Sequence, residues 1–122
     1  VVDAKLYAGT IRVRDVGGLL KRNERLYVGR RDCSHLAEDM KWQVEAVEQA
    51  LGRARVEPPP PVTPVLCFVR GEWPLLFPPD SYGGVRLEGS RSIKKLITRQ
   101  SLLGDPAIDQ VWRGLAGVLP PK

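Results

Sequence analysis

The chain has 122 residues, enough for one domain with one hydrophobic core. Its apolar share of 43% and charged share of 27% are ordinary globular values, and no apolar run nears the length of a bilayer-spanning helix. The net charge is +5, and arginine outnumbers lysine among the 19 basic residues, so phosphate-bearing partners are admitted but not required.

The opening run VVDAKLYAG reads as a strand. Side chains alternate across a strand, so Val2, Ala4 and Leu6 share one face, and Val1, Asp3, Lys5 and Tyr7 the other. The expectation is that Val2, Ala4 and Leu6 pack into the core while Asp3 and Lys5 point away from it. GTIRVRD alternates Ile11 and Val13 with Arg12 and Arg14, a second strand with a basic face. Gly17 and Gly18 carry a turn, and ERLYVGRR is a third strand that pairs with the second as a hairpin.

SHLAEDMKWQVEAVEQALG holds the strongest helix pattern. Leu36, Met40, Val44, Val47 and Leu51 recur at helical spacing, with Ser34 as the expected N-cap and Gly52 as the stop. Pro58 to Pro61 exclude helix and serve as a stiff spacer inside the domain. PVLCFV is apolar throughout, as a strand covered on both faces should be. GEWPLLFPPDSYGG reads as irregular, and VRLEG as a short strand. A helix through SIKKLITRQ follows, capped by Ser90, with Ile93, Leu96 and Ile97 inward. A last helix is capped by Asp105, with Pro106 in its first turn and Ile108, Val111, Trp112 and Leu115 as its apolar stripe. Trp112 is expected in the core. Helices alternating with buried strands predict an α/β layer architecture.

Two cysteines make no disulfide framework. Cys67 lies in the buried strand. Cys33 sits at a helix start, where a lowered pKa is conceivable, and His35 is two residues on. Together they lack the further ligands a metal centre needs. With no signal peptide visible, the expected location is cytoplasmic. The chain opens on a valine already inside a strand, so the expectation is that its start is missing.

An acid, a spacer and a lysine on one strand is how many metal-dependent nucleases present their site. A carboxylate can hold Mg²⁺, and an ammonium can offset charge building on a phosphate. Around that motif, VVDAK with Tyr7 and Gly9 behind it, then RLYVGRRD, the helix carrying Gln43, and PVLCFV resemble the nuclease-related domain (NERD) family. That family is similar to the PD-(D/E)XK nucleases in core fold. The resemblance runs over roughly residues 1 to 115.

It implies a truncated PD-(D/E)XK restriction-endonuclease-like core, a mixed sheet with flanking helices. Residues 1–118 would be the C-terminal portion of the domain and 119–122 a tail. Asp3 matches the metal-holding acid, Lys5 the lysine, and Gln43 the site-facing glutamine on the helix. The tyrosine found four residues later in some relatives is Val47 here. A further acid of the family pattern has no counterpart in this chain, so Mg²⁺ is expected only with that acid supplied. Asp15 and Asp32 are poor substitutes, expected to pair with arginines or cap a helix. The implied activity is phosphodiester hydrolysis of nucleic acid, DNA foremost, incomplete and inactive as given. The alternative is a non-catalytic nucleic-acid-binding or protein-interaction domain on the same fold. Arg12, Arg14, Lys21, Arg22, Arg25, Arg30 and Arg31 are the candidate nucleic-acid contacts, offset only by Asp15 and Glu24.

Overall fold

The computed structural model describes residues 1–99 and 103–119. Over these residues the protein is mixed α/β, with two four-stranded sheets and three helices.

The opening run forms β1 (Val2–Lys5), parallel to β5 (Val65–Phe68), with Asp3 beside Leu66 and Lys5 beside Phe68. β5 is in turn parallel to β8 (Val85–Gly89), and the short β7 (Ser81–Tyr82) closes that sheet antiparallel to β8. All four residues of β5 are buried, which accounts for its unbroken apolar sequence.

The second sheet is the expected hairpin. β2 (Gly9–Asp15) runs antiparallel to β3 (Glu24–Val28), which pairs with β4 (Arg31–Asp32). β6 (Gly71–Glu72) joins the other edge of β2 in parallel. β6 and β7 thus lie within a stretch expected to be irregular. Two-residue strands carry no alternation for a sequence to display.

α1 (His35–Arg53) follows β4. Its first half supplies Leu36, Ala37 and Met40 to the main core, where they meet Leu66, Phe68, Val85 and Leu87 of one sheet and Ile11, Leu26 and Val28 of the other. Each large side chain buried there contributes about 1.5–3 kcal/mol. The second half of α1 buries Ala50 and Leu51 and lies against α3 (Asp105–Val118), leaving Val44 and Val47 only half-buried. α2 (Ser90–Thr98) packs on β8 and β5. The proline run 58–61 lies in the connection from α1 to β5.

Several expectations need correction. Val2 and Leu6 are 47% and 69% exposed and Ala4 is exposed too, whereas Val1, Asp3, Lys5 and Tyr7 turn inward. The alternation was right and the face was inverted. Val1 and Tyr7 pack against the core from the side that carries the charges. Ser34 precedes α1, but its hydroxyl makes no cap bond and instead accepts the Leu26 N–H at 2.8 Å. The capping positions of α2 and α3 are Gly89 and Gly104, each one residue before the serine or aspartate expected there. Trp112 is 68% exposed and Ile97 67% exposed, because α2 and α3 bury no residue fully. Gln100 of the expected α2 and residues 120–122 of the expected tail lie outside the described residues.

Candidate functional site

β1 is an edge strand of the first sheet, and α1 crosses the face that carries Asp3 and Lys5. From the strand, Lys5 Nζ approaches Asp3 Oδ2 to 3.2 Å. From the helix, Gln43 Nε2 donates to the same Oδ2 at 3.1 Å. The lysine and aspartate side chains keep only 27% and 22% of their exposure, so the pair is half-desolvated and screened less than a surface ion pair. Asp3 Oδ1 makes no hydrogen bond among the described residues. A carboxylate thus has one oxygen fixed by a cation and an amide donor and the other without a hydrogen bond. Gln43 and Asp3 are 40 residues apart in sequence, and the crossing of α1 over β1 brings them together.

The other carboxylates weighed as partners for Asp3 are committed elsewhere. Asp15 Oδ1 accepts the N–H groups of Gly17 and Asn23, both at 2.9 Å, and those two backbone bonds hold its carboxyl below the usual aspartate range. Asp32 accepts from Ser34 N–H and Arg25 Nε, both at 2.9 Å. Bonds from the Ser34 hydroxyl and N–H, then Arg25, bring its pKa down to about 2. Among the described residues no group of three or more His, Cys, Asp or Glu side chains could hold a metal ion. Mg²⁺ prefers six oxygens in an octahedron, so Asp3 alone does not make a site for it and would need donors beyond these residues.

Cys33 and Cys67 are both buried, and burial pushes both thiols up, opposite to the lowering conceivable at a helix start. His35 is exposed while Cys33 is fully enclosed, so the two do not converge.

The seven candidate basic residues fall in two places. Arg12, Arg14 and Arg25 lie on the outward face of the β2–β3 ribbon, with Arg14 directly opposite Arg25, and Lys21 and Arg22 are on the loop at its end. Arg14 stands over the Tyr27 ring at 5.8 Å. Arg22 pairs with Glu24, and Arg25 with Asp32 at 2.9 Å. Arg30 in the turn before β4 and Arg31 at the start of β4 line a cavity of about 380 Å³ with Leu6 and Tyr7. There the Arg31 guanidinium sits 4.7 Å from the centre of the Tyr7 ring. Tyr7 follows Lys5 by two residues, so Arg30 and Arg31 extend positive charge from the end of β1 that carries Lys5.

Sequence reading missed a second acid–base pair. Arg86 and Glu88 are two apart on β8 and pair with each other, on the sheet face opposite Asp3 and Lys5. Burial alone would raise the Glu88 pKa, but the Ser92 hydroxyl, Arg86 and Arg99 together hold it below the usual value. The signal was available, since VRLEG repeats the two-residue spacing of DAK. Glu88 and Arg86 line a cavity of about 540 Å³ with Trp73, Asp80 and Arg91, where β8 runs into α2. Lys5, Phe68 and Gly89 stand in register on neighbouring strands. At about 4.8 Å per strand, Gly89 in the cavity lining lies about 10 Å from the Lys5 backbone. Both occupy the carboxyl end of the parallel strands, where ligands of open α/β sheets commonly bind.

Comparison with known protein families, curated protein sequences and solved structures gives no match for this chain.

Proposed function

We propose that the chain carries the acid-x-lysine part of a PD-(D/E)XK-like phosphodiester-cleaving site and holds nucleic acid, DNA foremost, beside it. The observation that carries this reading is the convergence of Lys5 and Gln43 on one oxygen of Asp3 from two separate elements. In this reading Lys5 offsets charge on the scissile phosphate. Asp3 offers its second oxygen, which accepts no hydrogen bond, to a metal ion or water, and Gln43 keeps the carboxylate from rotating. A bound Mg²⁺ would supply Lewis-acid polarisation of the phosphate, with its remaining oxygen donors coming from outside the described residues. The family resemblance of VVDAK, RLYVGRRD and PVLCFV supports the same assignment.

The commitment of Asp15 to backbone N–H groups and of Asp32 to Ser34 and Arg25 favours one other reading, a domain that binds nucleic acid without cutting it. A cleavage assay separates them. It is run with Mg²⁺, Mn²⁺ or chelator, on this chain and on a longer chain carrying any coding sequence that lies ahead of Val1. The chain alone should bind Mg²⁺ weakly and cut nothing. The longer chain should cut only with a divalent cation, and Asp3→Ala should abolish cleavage together with metal affinity. Lys5→Ala should remove most cleavage and leave metal affinity. Activity that survives both substitutions would overturn the assignment, and a folded longer chain with no activity would favour the binding domain.

Binding itself is read by fluorescence anisotropy against salt. Each phosphate neutralised contributes a slope of about −0.9 in log affinity against log salt on duplex DNA. Replacing Arg12, Arg14 and Arg25 together should flatten that slope by about 2 to 3. No binding at about 50 mM salt would mean that the basic face is merely solvated.

A further inference from the structure

The loop between β2 and β3 is closed by nested turns. Asp15 Oδ1 accepts from Gly17 and Asn23, Val16 N–H donates to the Asn23 carbonyl at 2.8 Å, and Lys21 N–H donates to the Gly18 carbonyl at 3.3 Å. A Cβ on Gly17 would lie 1.9 Å from the Lys21 carbonyl oxygen, so the chain doubles back on itself with no room for a side chain there. The innermost turn runs from Gly18 to Lys21 and places Leu19 and Leu20 at its two central positions. Such positions usually carry Gly, Pro, Asn, Asp or Ser. Here both leucines are fully in solvent, at 106% and 103% relative exposure, and Val16 beside them is half-exposed. They contribute nothing to the core of this fold, yet an ordered turn holds them out at the tip of a basic ribbon.

A protruding leucine pair suits an apolar medium that can open around it, such as a bilayer or a stack of bases. The cations decide between these. Lys21 and Arg22 sit in the loop itself, Arg22 paired with Glu24, and the others run down the ribbon, with Arg14 and Arg12 on its outward face behind Lys21. At strand rise, Arg12 is about 10 Å behind Asp15, and the tip lies further still. A bilayer touched by the tip would leave Arg12 beyond the Debye length of about 8 Å at physiological salt. A polyanion lying along the ribbon would engage Arg12, Arg14 and Lys21 together.

We infer that the β2–β3 ribbon tracks the phosphates of B-form DNA while Leu19 and Leu20 wedge between base pairs at its tip. Apolar wedges flanked by arginine are how minor-groove proteins unstack and kink a duplex. The preferred substrate is then DNA whose stack opens easily, such as mismatched or gapped duplex. This rests on the nucleic-acid reading above and adds to it a substrate class and two residues.

The test uses the whole chain and two duplexes of one sequence, matched and carrying a central mismatch, each with 2-aminopurine at the centre and a fluorescence-transfer pair at the ends. The mismatched duplex should bind about tenfold tighter, brighten and bend. Leu19→Ser with Leu20→Ser should erase preference, brightening and bending, yet keep binding to matched duplex and its salt slope. A thermal melt of the double variant checks that the fold survives, as expected for side chains that bury nothing. Equal binding of both duplexes, unchanged by the double substitution, overturns the wedge and leaves the nucleic-acid reading standing. No binding of either duplex at low salt overturns both. Binding to vesicles of about 30% phosphatidylserine, lost in the double variant while duplex binding is untouched, overturns the wedge in favour of a membrane tip.

Discussion

Ser34 shows how much one polar side chain can settle. It is 5% exposed, accepts the Leu26 N–H, and through its own N–H and hydroxyl holds Asp32. Ser34→Ala strands the Leu26 donor in a dry site, so it should destabilise the fold by about 1–3 kcal/mol in urea melts. Asp32 gives the pH test. Its folded pKa of about 2 lies below the ordinary aspartate value, so its contribution is present above that ordinary value and lost as pH falls towards 2. Asp32→Asn should therefore lower the melting temperature near neutral pH. The gap from wild type should close between the ordinary aspartate pKa and about pH 2. A gap that persists at pH 2 would mean that the interactions with Ser34 and Arg25 do not depend on charge. The same residue explains a misreading. A serine before a helix invites an N-cap assignment, but only the packing of β3 against the start of α1 reveals that Leu26 has the prior claim on its oxygen.

At the level of elements, alternation and helical spacing were legible wherever an element was long enough to show a period. The β2–β3 hairpin, α1, the buried β5 and β8 all stand where their patterns put them. The facing of β1 was not legible. A four-residue edge strand with apolar residues at both parities does not say which side meets the core. Charges were assumed to point outward, whereas Lys5 and Gln43 make Asp3 tolerable on the inner side. One consequence is that substitutions at Asp3 or Lys5 touch stability as well as any chemistry, since removing one partner leaves the other half-buried and uncompensated. The join between the sheets is a second feature that sequence hides. β6 meets β2 at Gly71, where an added Cβ would lie 2.9 Å from Phe68 Cβ and 3.0 Å from Ile11 Cδ1. Phe68 and Ile11 are fully buried and cannot step aside. Gly71→Ala should cost about 1–3 kcal/mol by overpacking, where an open site such as Gly52 should accept alanine with a small gain. Chemical denaturation of the two variants makes the comparison, and equal effects would contradict the packing argument.

Across the whole molecule, α1 is the member that joins the main core to α3. Its first half is enclosed by the two sheets, while its second half meets α3, which buries none of its own residues fully. Close approach holds that second contact: Gly114 faces Ala54 and Val56, where a Cβ would lie 2.9 Å and 3.2 Å from their side chains. A helix held by one half-buried stripe should open at a lower free energy than the sheet beneath it, because local opening follows the apolar area released. Native-state hydrogen exchange should therefore rank β5 and the first turns of α1 slowest, with α2 and α3 both exchanging faster than α1. The energetic counterpart is a pair of substitutions. Met40→Ala empties a fully buried position at the meeting of both sheets and should cost about 2–5 kcal/mol, raising exchange everywhere. Trp112→Ala removes a larger side chain that is 68% exposed and should change global stability by less than about 0.5 kcal/mol. If Trp112→Ala destabilised the fold as much as Met40→Ala, the exposed face of α3 would have to be covered in solution. The same measurement repeated at tenfold dilution would then show whether a second copy covers it.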